Sequence, residues 1–293
     1  MKRFLFIIFI LCFANLVFAA PLHVVAAENF YGSIAKSIGG SGVEVQSILN
    51  NPNQDPHLFS SNPSIAKAIT NANIIIYNGI GYDAWITHLI QDDTETQTTI
   101  IVADLIGAKN DDNPHIWYKP ETGLILAKNL LNLLIKLDPH NASEYQQNFN
   151  KFSVKYAAYL RQIQTIKNQF KGTSITATEP LFDYLAQSLG FNMLGSDFQL
   201  SIMNEVPPSP QQIINFQKII LNHQVKLLIY NTQVSNPITK RMQDLAIQNN
   251  IPVVGVSETE PVDMDFLGWM NSNLNAVVAA LKSSKSNYGS YHL

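Results

Sequence analysis

The chain has 293 residues, of which 46% are hydrophobic and 14% charged, with 19 Lys and Arg against 22 Asp and Glu. No basic block stands out, which argues against nucleic acid as a partner, and the length suits one large domain or two modest ones. The single cysteine, Cys12, falls in the first twenty residues, so the remainder has no disulfide framework or thiolate site, and any metal there is held by nitrogen and oxygen.

Residues 1–19 read as a secretory signal peptide. Lys2 and Arg3 form a basic start, Phe4 to Phe18 is nearly all apolar, and Val17-Phe18-Ala19 offers small-residue cleavage geometry. The apolar run is short for a membrane span of about 20 residues. Leu11 before Cys12 is a poor lipidation context. Cleavage after Ala19 predicts a periplasmic or extracellular protein.

Residues 20–140 begin with an apolar run, Leu22–Ala27, followed by Glu28-Asn-Phe-Tyr-Gly-Ser-Ile-Ala-Lys-Ser-Ile-Gly39. This segment lines up without a gap with Glu179-Pro-Leu-Phe-Asp-Tyr-Leu-Ala-Gln-Ser-Leu-Gly190. Further on, Ile74-Ile-Ile-Tyr-Asn78 matches Leu227-Leu-Ile-Tyr-Asn231 in the same order. Apolar β-branched runs alternate in both halves with amphipathic stretches such as Pro63–Thr70, Ala127–Leu137 and Ser209–Ile220. That rhythm predicts an α/β fold with two similar lobes, each a parallel sheet flanked by helices.

Between the lobes, Asn141 and Glu144 have the spacing of a capping box. Apolar residues then recur at Phe149, Phe152, Tyr156, Leu160, Ile163, Ile166 and Phe170, and Gly172 is a natural stop. A helix there, assigned to 141–172, would be one long rigid strut about 45 Å in length. The second lobe takes residues 173–293.

Three motifs carry candidate chemistry: DPHLF at 55–59, NPHIWY at 113–118 and ATEPLFDY at 177–184. Each sets His57, His115 or Glu179 beside a proline that stiffens a turn. Two imidazoles and a carboxylate are the ingredients of a divalent-metal site. A histidine alone is more often packed or solvated, and an acid at a helix start is often only a dipole partner. The case for the two histidines rests on their shared x-Pro-His setting. Glu258 and Glu260 follow the strand-like Ile251–Val256, where solvated loop acids are the plain alternative.

Together, AENFYGSIAKSIGG, DPHLF, NPHIWY, the mid-chain helix, TATEPLFDYLAQSLGF and IPVVGVSETEP resemble the zinc- and manganese-binding receptors of ABC importers. The resemblance spans essentially the whole chain after the leader. It implies two lobes joined by a rigid helix, a single metal ion in the cleft, two ligands from each lobe, and delivery to a membrane permease by a monomer. Matched residue by residue, it assigns His57, His115, Glu179 and a fourth acid, Glu258, with Glu260 as the alternative two residues on. The family's usual Asp at this last position is absent, as is the His-rich loop of many zinc receptors. The ion is expected to be Zn²⁺ or Mn²⁺, with Fe²⁺ also compatible with the donor set. A secreted zinc-dependent hydrolase is the alternative from another class, although the chain has no HExxH helix and no evident general base. An adhesin role is compatible with the receptor reading.

Overall fold

A computed structural model describes residues 20–53, 56–90, 97–234 and 236–289, with the side chains of His57 and 284–289 excepted. The leader at 1–19 and Asp55 of DPHLF lie outside the described residues. The first sheet is built from β1 (Leu22–Glu28), β2 (Val43–Leu49), β3 (Ile74–Tyr77) and β4 (Thr98–Ile101), in the order β2-β1-β3-β4 and all parallel. Around it lie α1 (Asn29–Gly39), α2 (Pro63–Thr70), α3 (Ala84–Thr87), α4 (Val102–Leu105) and α5 (Thr122–Leu137). Next comes α6 (Ala142–Phe170), then β5 (Ser174–Ala177), α7 (Asp183–Ser188), β6 (Asn192–Leu194), α8 (Ser196–Met203) and α9 (Pro210–Leu221). Last are β7 (Leu228–Asn231), α10 (Pro237–Gln248), β8 (Val253–Val256) and α11 (Phe266–Gly289). The second sheet has the order β6-β5-β7-β8, again parallel. The sequence repeat therefore corresponds to a repeated topology.

Strands buried on both faces read as unbroken apolar runs, and these do. Val24, Ala26, Ile74 and Ile76 point into a core that also holds Ile175, Ala177 and Ile229 of the second sheet and Leu227 just before β7. Val25, Ala27 and Ile75 face the opposite way onto Ile65 and Ile69 of α2, as Leu228 faces Phe216 and Met242. The alternation is the period of two of a strand. One continuous core thus runs through both lobes, with α6 and α11 packed into it.

Helix starts follow the local chemistry. Asn62 accepts the N–H groups of Ser64 and Ile65, Ser209 and Gln212 form a reciprocal box, and Asn236 accepts Ile238 N–H; a proline occupies the next position each time. The expected box at the start of α6 does not form. Asn141 has φ −96° and ψ 9°, not the extended backbone of an N-cap. Its amide donates to Asp138 instead, and Glu144 accepts from Ser41 N and Oγ of the first lobe. Along α6 the buried residues are Tyr145, Phe152, Tyr156, Tyr159, Ile163, Ile166 and Phe170. Tyr159 takes the place expected of Leu160, which is exposed. Beyond the helix Gly172 has φ +82° and donates to Gly190 O.

Candidate metal centre

Both sheets present their candidate ligand side chains at the carboxyl ends of their strands, where open α/β sheets bind ligands. Glu28 ends β1 and Asn231 ends β7; Glu179 and Glu258 each lie two residues beyond β5 and β8. His57 sits in a single 3-10 turn, Pro56–Leu58, and His115 precedes another, Ile116–Tyr118. Glu28 and Glu179 occupy N-cap positions with extended backbone, yet neither side chain caps its helix. Both carboxyl groups are buried and turned elsewhere.

His115 is fully buried. Asn113 Oδ1 accepts the backbone N–H of His115 at 3.0 Å and lies 2.7 Å from its Nδ1. An amide oxygen can only accept, so Nδ1 carries the ring proton and Nε2 is left as the nitrogen able to bind a cation. Asn113 also reaches the other lobe, donating to Pro180 O at 2.6 Å and accepting from Tyr184 Oη at 2.9 Å. Trp117 lies edge-on to the imidazole at 5.2 Å between ring centres.

In the second lobe one amide joins two acids. Asn231 Nδ2 donates to Glu258 Oε1 at 2.6 Å and to Glu179 Oε2 at 3.1 Å. Glu258 is fully buried. Its other oxygen, Oε2, accepts from Tyr82 Oη of the first lobe at 2.8 Å. Gln233 fixes the loop below, its Oε1 accepting Glu258 N–H at 2.6 Å and Thr259 N–H at 3.1 Å. Burial, then the charges of Glu258 and Glu28, push the Tyr82 phenol well above its ordinary pKa. It therefore remains a proton donor.

Two acids behave otherwise than the sequence implied. Glu260, expected to be solvated, is 6% exposed. Its backbone N–H and C=O pair with Asn29 Oδ1 and Nδ2 at 2.9 and 2.6 Å, which draws the loop onto α1. Loss of solvent raises its carboxyl pKa to about 8. Glu28, the repeat counterpart of Glu179, is fully buried beside Asp83; burial first, then Asp83, drives its pKa well up. Asp83 in turn accepts from the N–H groups of Asn78 and Gly79.

The structure joins Glu179 to Glu258 through Asn231, and brings Tyr82, in contact with Glu258, within 6.3 Å of the His115 ring. Among the described residues no three His, Cys, Asp or Glu side chains are grouped to hold an ion, and the side chain of His57 is outside them. Asn113, Asn231, Gln233 and Tyr82 were not singled out from sequence as site residues. Asn231 had a signal: it closes the Tyr-Asn repeat shared with Asn78. Asn113 opens the NPHIWY motif itself, whereas Gln233 and Tyr82 had no signal.

Two parallel-sheet lobes on a continuous helix, with acids and an imidazole at their facing strand ends, define a two-lobed solute receptor. The chain belongs to the family described as zinc-uptake complex component A, periplasmic, whose sequence model matches residues 24–280. It is 26% identical over 282 residues to a manganese ABC transporter substrate-binding lipoprotein of Streptococcus pneumoniae, covering 89% of each chain. It is 27% identical over 259 residues to a metal ABC transporter substrate-binding lipoprotein of Streptococcus mutans, covering 82% of each. In fold it matches the periplasmic zinc-binding protein of Treponema pallidum at TM-score 0.73 and 16% identity, covering 89% of this chain and 99% of that one. The laminin-binding protein of Streptococcus pyogenes matches at 0.73 and 20% identity, covering 90% and 100%. The family consists of substrate-binding receptors of importers, so the hydrolase alternative falls.

Proposed function

We propose that this protein captures one divalent transition-metal ion between its lobes and hands it to the permease of an ABC importer. The ligands assigned are His57 and His115 from the first lobe and Glu179 and Glu258 from the second. The observation that carries this reading is the Asn231 bridge: two buried carboxylates held on one amide are matched to a cation that neutralises both. The His115 tautomer supports it, since the Asn113 contact leaves Nε2 as donor to a metal. Two nitrogens with carboxylate oxygens suit Zn²⁺ by intrinsic affinity and do not bar Mn²⁺ or Fe²⁺. Imidazoles must be neutral to bind, so uptake should weaken as pH falls through the histidine range. We further assign residues 1–19 to a cleaved leader, 20–140 and 173–293 to the lobes and 141–172 to the link, and take the receptor to act as a monomer outside the cytoplasmic membrane.

Calorimetry of the leaderless protein with Zn²⁺ and with Mn²⁺ tests the reading. One ion per chain is expected, with binding strongly weakened in His57→Ala and in His115→Ala. Unchanged stoichiometry and affinity in the double variant would overturn the assignment.

A further inference from the structure

Two buried acids of the first lobe lie outside the ligand set. Glu28 at the end of β1 and Asp83 beyond β3 are 0% and 1% exposed, and a side-chain hydrogen bond joins their carboxyl groups. An ionised carboxylate can only accept, so that bond needs a proton on one of the two. Asp83 accepts at both oxygens from backbone donors, Oδ2 from the N–H of Asn78 and Oδ1 from that of Gly79. Among the described residues, no other residue donates to either oxygen of Glu28. Donors favour the ionised form of the group they reach, which puts the charge on Asp83 and the proton on Glu28. The titratable groups facing the pair are the phenols of Tyr31, Tyr77 and Tyr82, each held above its ordinary range by burial first, and no Lys, Arg or His is among them.

The repeat makes the contrast between the lobes specific. Glu28 and Asn78 are the counterparts of Glu179 and Asn231. In the second lobe the Asn231 amide links two acids. Asn78 is committed elsewhere: its Nδ2 donates to Gly79 O at 3.1 Å and Pro114 O at 2.9 Å, and its Oδ1 accepts from Tyr31 Oη at 2.6 Å. A proton thus joins the acids of the first lobe where an amide joins those of the second. Asp83 holds the backbone of Asn78, and Asn78 holds the carbonyl of Pro114, the residue before His115. One chain of bonds therefore runs from Glu28 to the turn that bears a candidate metal ligand.

We propose that Glu28 is a positioning residue held as a neutral acid: its O–H donates to Asp83 and, through Asn78, steadies the turn that presents His115. This rests on the metal-receptor reading above. Glu28→Gln keeps a donor of the same reach, an amide N–H in place of the O–H, whereas Glu28→Leu removes the donor at similar volume. Zn²⁺ affinity, measured by chelator competition, should stay within about twofold of wild type in Glu28→Gln and fall about tenfold in Glu28→Leu, the worth of one hydrogen bond to a charged group. The infrared difference spectrum of wild type minus Glu28→Gln at neutral pH should contain the carbonyl stretch of one neutral carboxylic acid. A missing acid band, a loss in Glu28→Gln as large as in Glu28→Leu, or wild-type affinity in Glu28→Leu would each overturn the proposal. Should Glu28→Leu fail to fold, the other two measurements decide: the acid band together with retained affinity in Glu28→Gln upholds it, and failure of either sinks it. Wild type that binds neither Zn²⁺ nor Mn²⁺ would instead sink the receptor reading, and the positioning role with it.

Discussion

Asn231 does for the second lobe what a metal would otherwise have to do unaided: it keeps Glu179 and Glu258 together despite their like charge. A buried carboxylate that loses a donor is penalised by about 1–3 kcal/mol, and Asn231→Ala removes one donor from each of two acids. We expect this variant to lose about 1–3 kcal/mol of metal-free stability in denaturant melts and at least about tenfold in metal affinity. Wild-type values in both measurements would remove Asn231 from the site. The choice between Glu258 and Glu260 is sharpened by the same bonds. Glu258 faces Asn231 and Tyr82, while the Glu260 backbone is tied to Asn29 on α1. Glu258→Gln should impair metal binding far more than Glu260→Gln, and calorimetry giving the reverse order would show the register to be wrong. That Glu258 comes first after the strand was readable in the sequence. The burial of Glu260 was not, because it depends on Asn29, 231 residues away. A third residue tests the electrostatics away from the site. Asp183 is raised to about 6 by burial alone, so the folded state holds a proton that the unfolded chain has released. Its contribution is present below the ordinary aspartate value of about 4 and is lost as pH rises through about 6. Asp183→Asn should therefore raise the melting temperature at pH 7, by the equivalent of at most about 2 kcal/mol, and leave it near wild type at pH 4.

At the level of elements, the sequence was legible wherever the determinant was local. Asn62, Ser209 and Asn236 before proline start α2, α9 and α10, and the runs Pro63–Thr70 and Ser209–Ile220 become helices within one residue of the reading. The start of α6 misled because Asn141 and Glu144 have alternative partners in Asp138 and Ser41, the latter supplied by the fold. Tyr145 joins in, its hydroxyl on the same Asp138 carboxylate at 2.6 Å. The other end of the helix obeys its local signal. Gly172 has φ +82° with no atom near the position a Cβ would take, so its value is purely that of backbone freedom. Gly172→Ala should cost about 1–2 kcal/mol in urea unfolding with an unchanged slope. A loss near zero would mean that the chain leaves the helix some other way.

For the molecule as a whole, the repeat revealed two lobes, but not how firmly they are joined. A single core passes from Val24 and Phe30 through Tyr156 and Trp269 to Phe182 and Leu227. Hydrogen bonds cross the same boundary: Asn29 with Glu260, Tyr118 to Ser257 O, Phe266 N–H to Ser33 Oγ, and Asn113 to Pro180 O. Wide opening about α6 would break these, each worth on the order of 1 kcal/mol, and wet the aromatic core between the lobes. Movement confined to the Pro56–Leu58 turn would leave all of these bonds in place and is the cheaper route to release. A chain of this size has a radius of gyration of about 19 Å. Small-angle scattering of metal-free and metal-loaded protein should give values within about 0.5 Å of each other on that scale, because the seam stays closed. A change well above 1 Å would mean that the lobes swing apart, and the seam bonds would then have to be weaker than their number and burial imply.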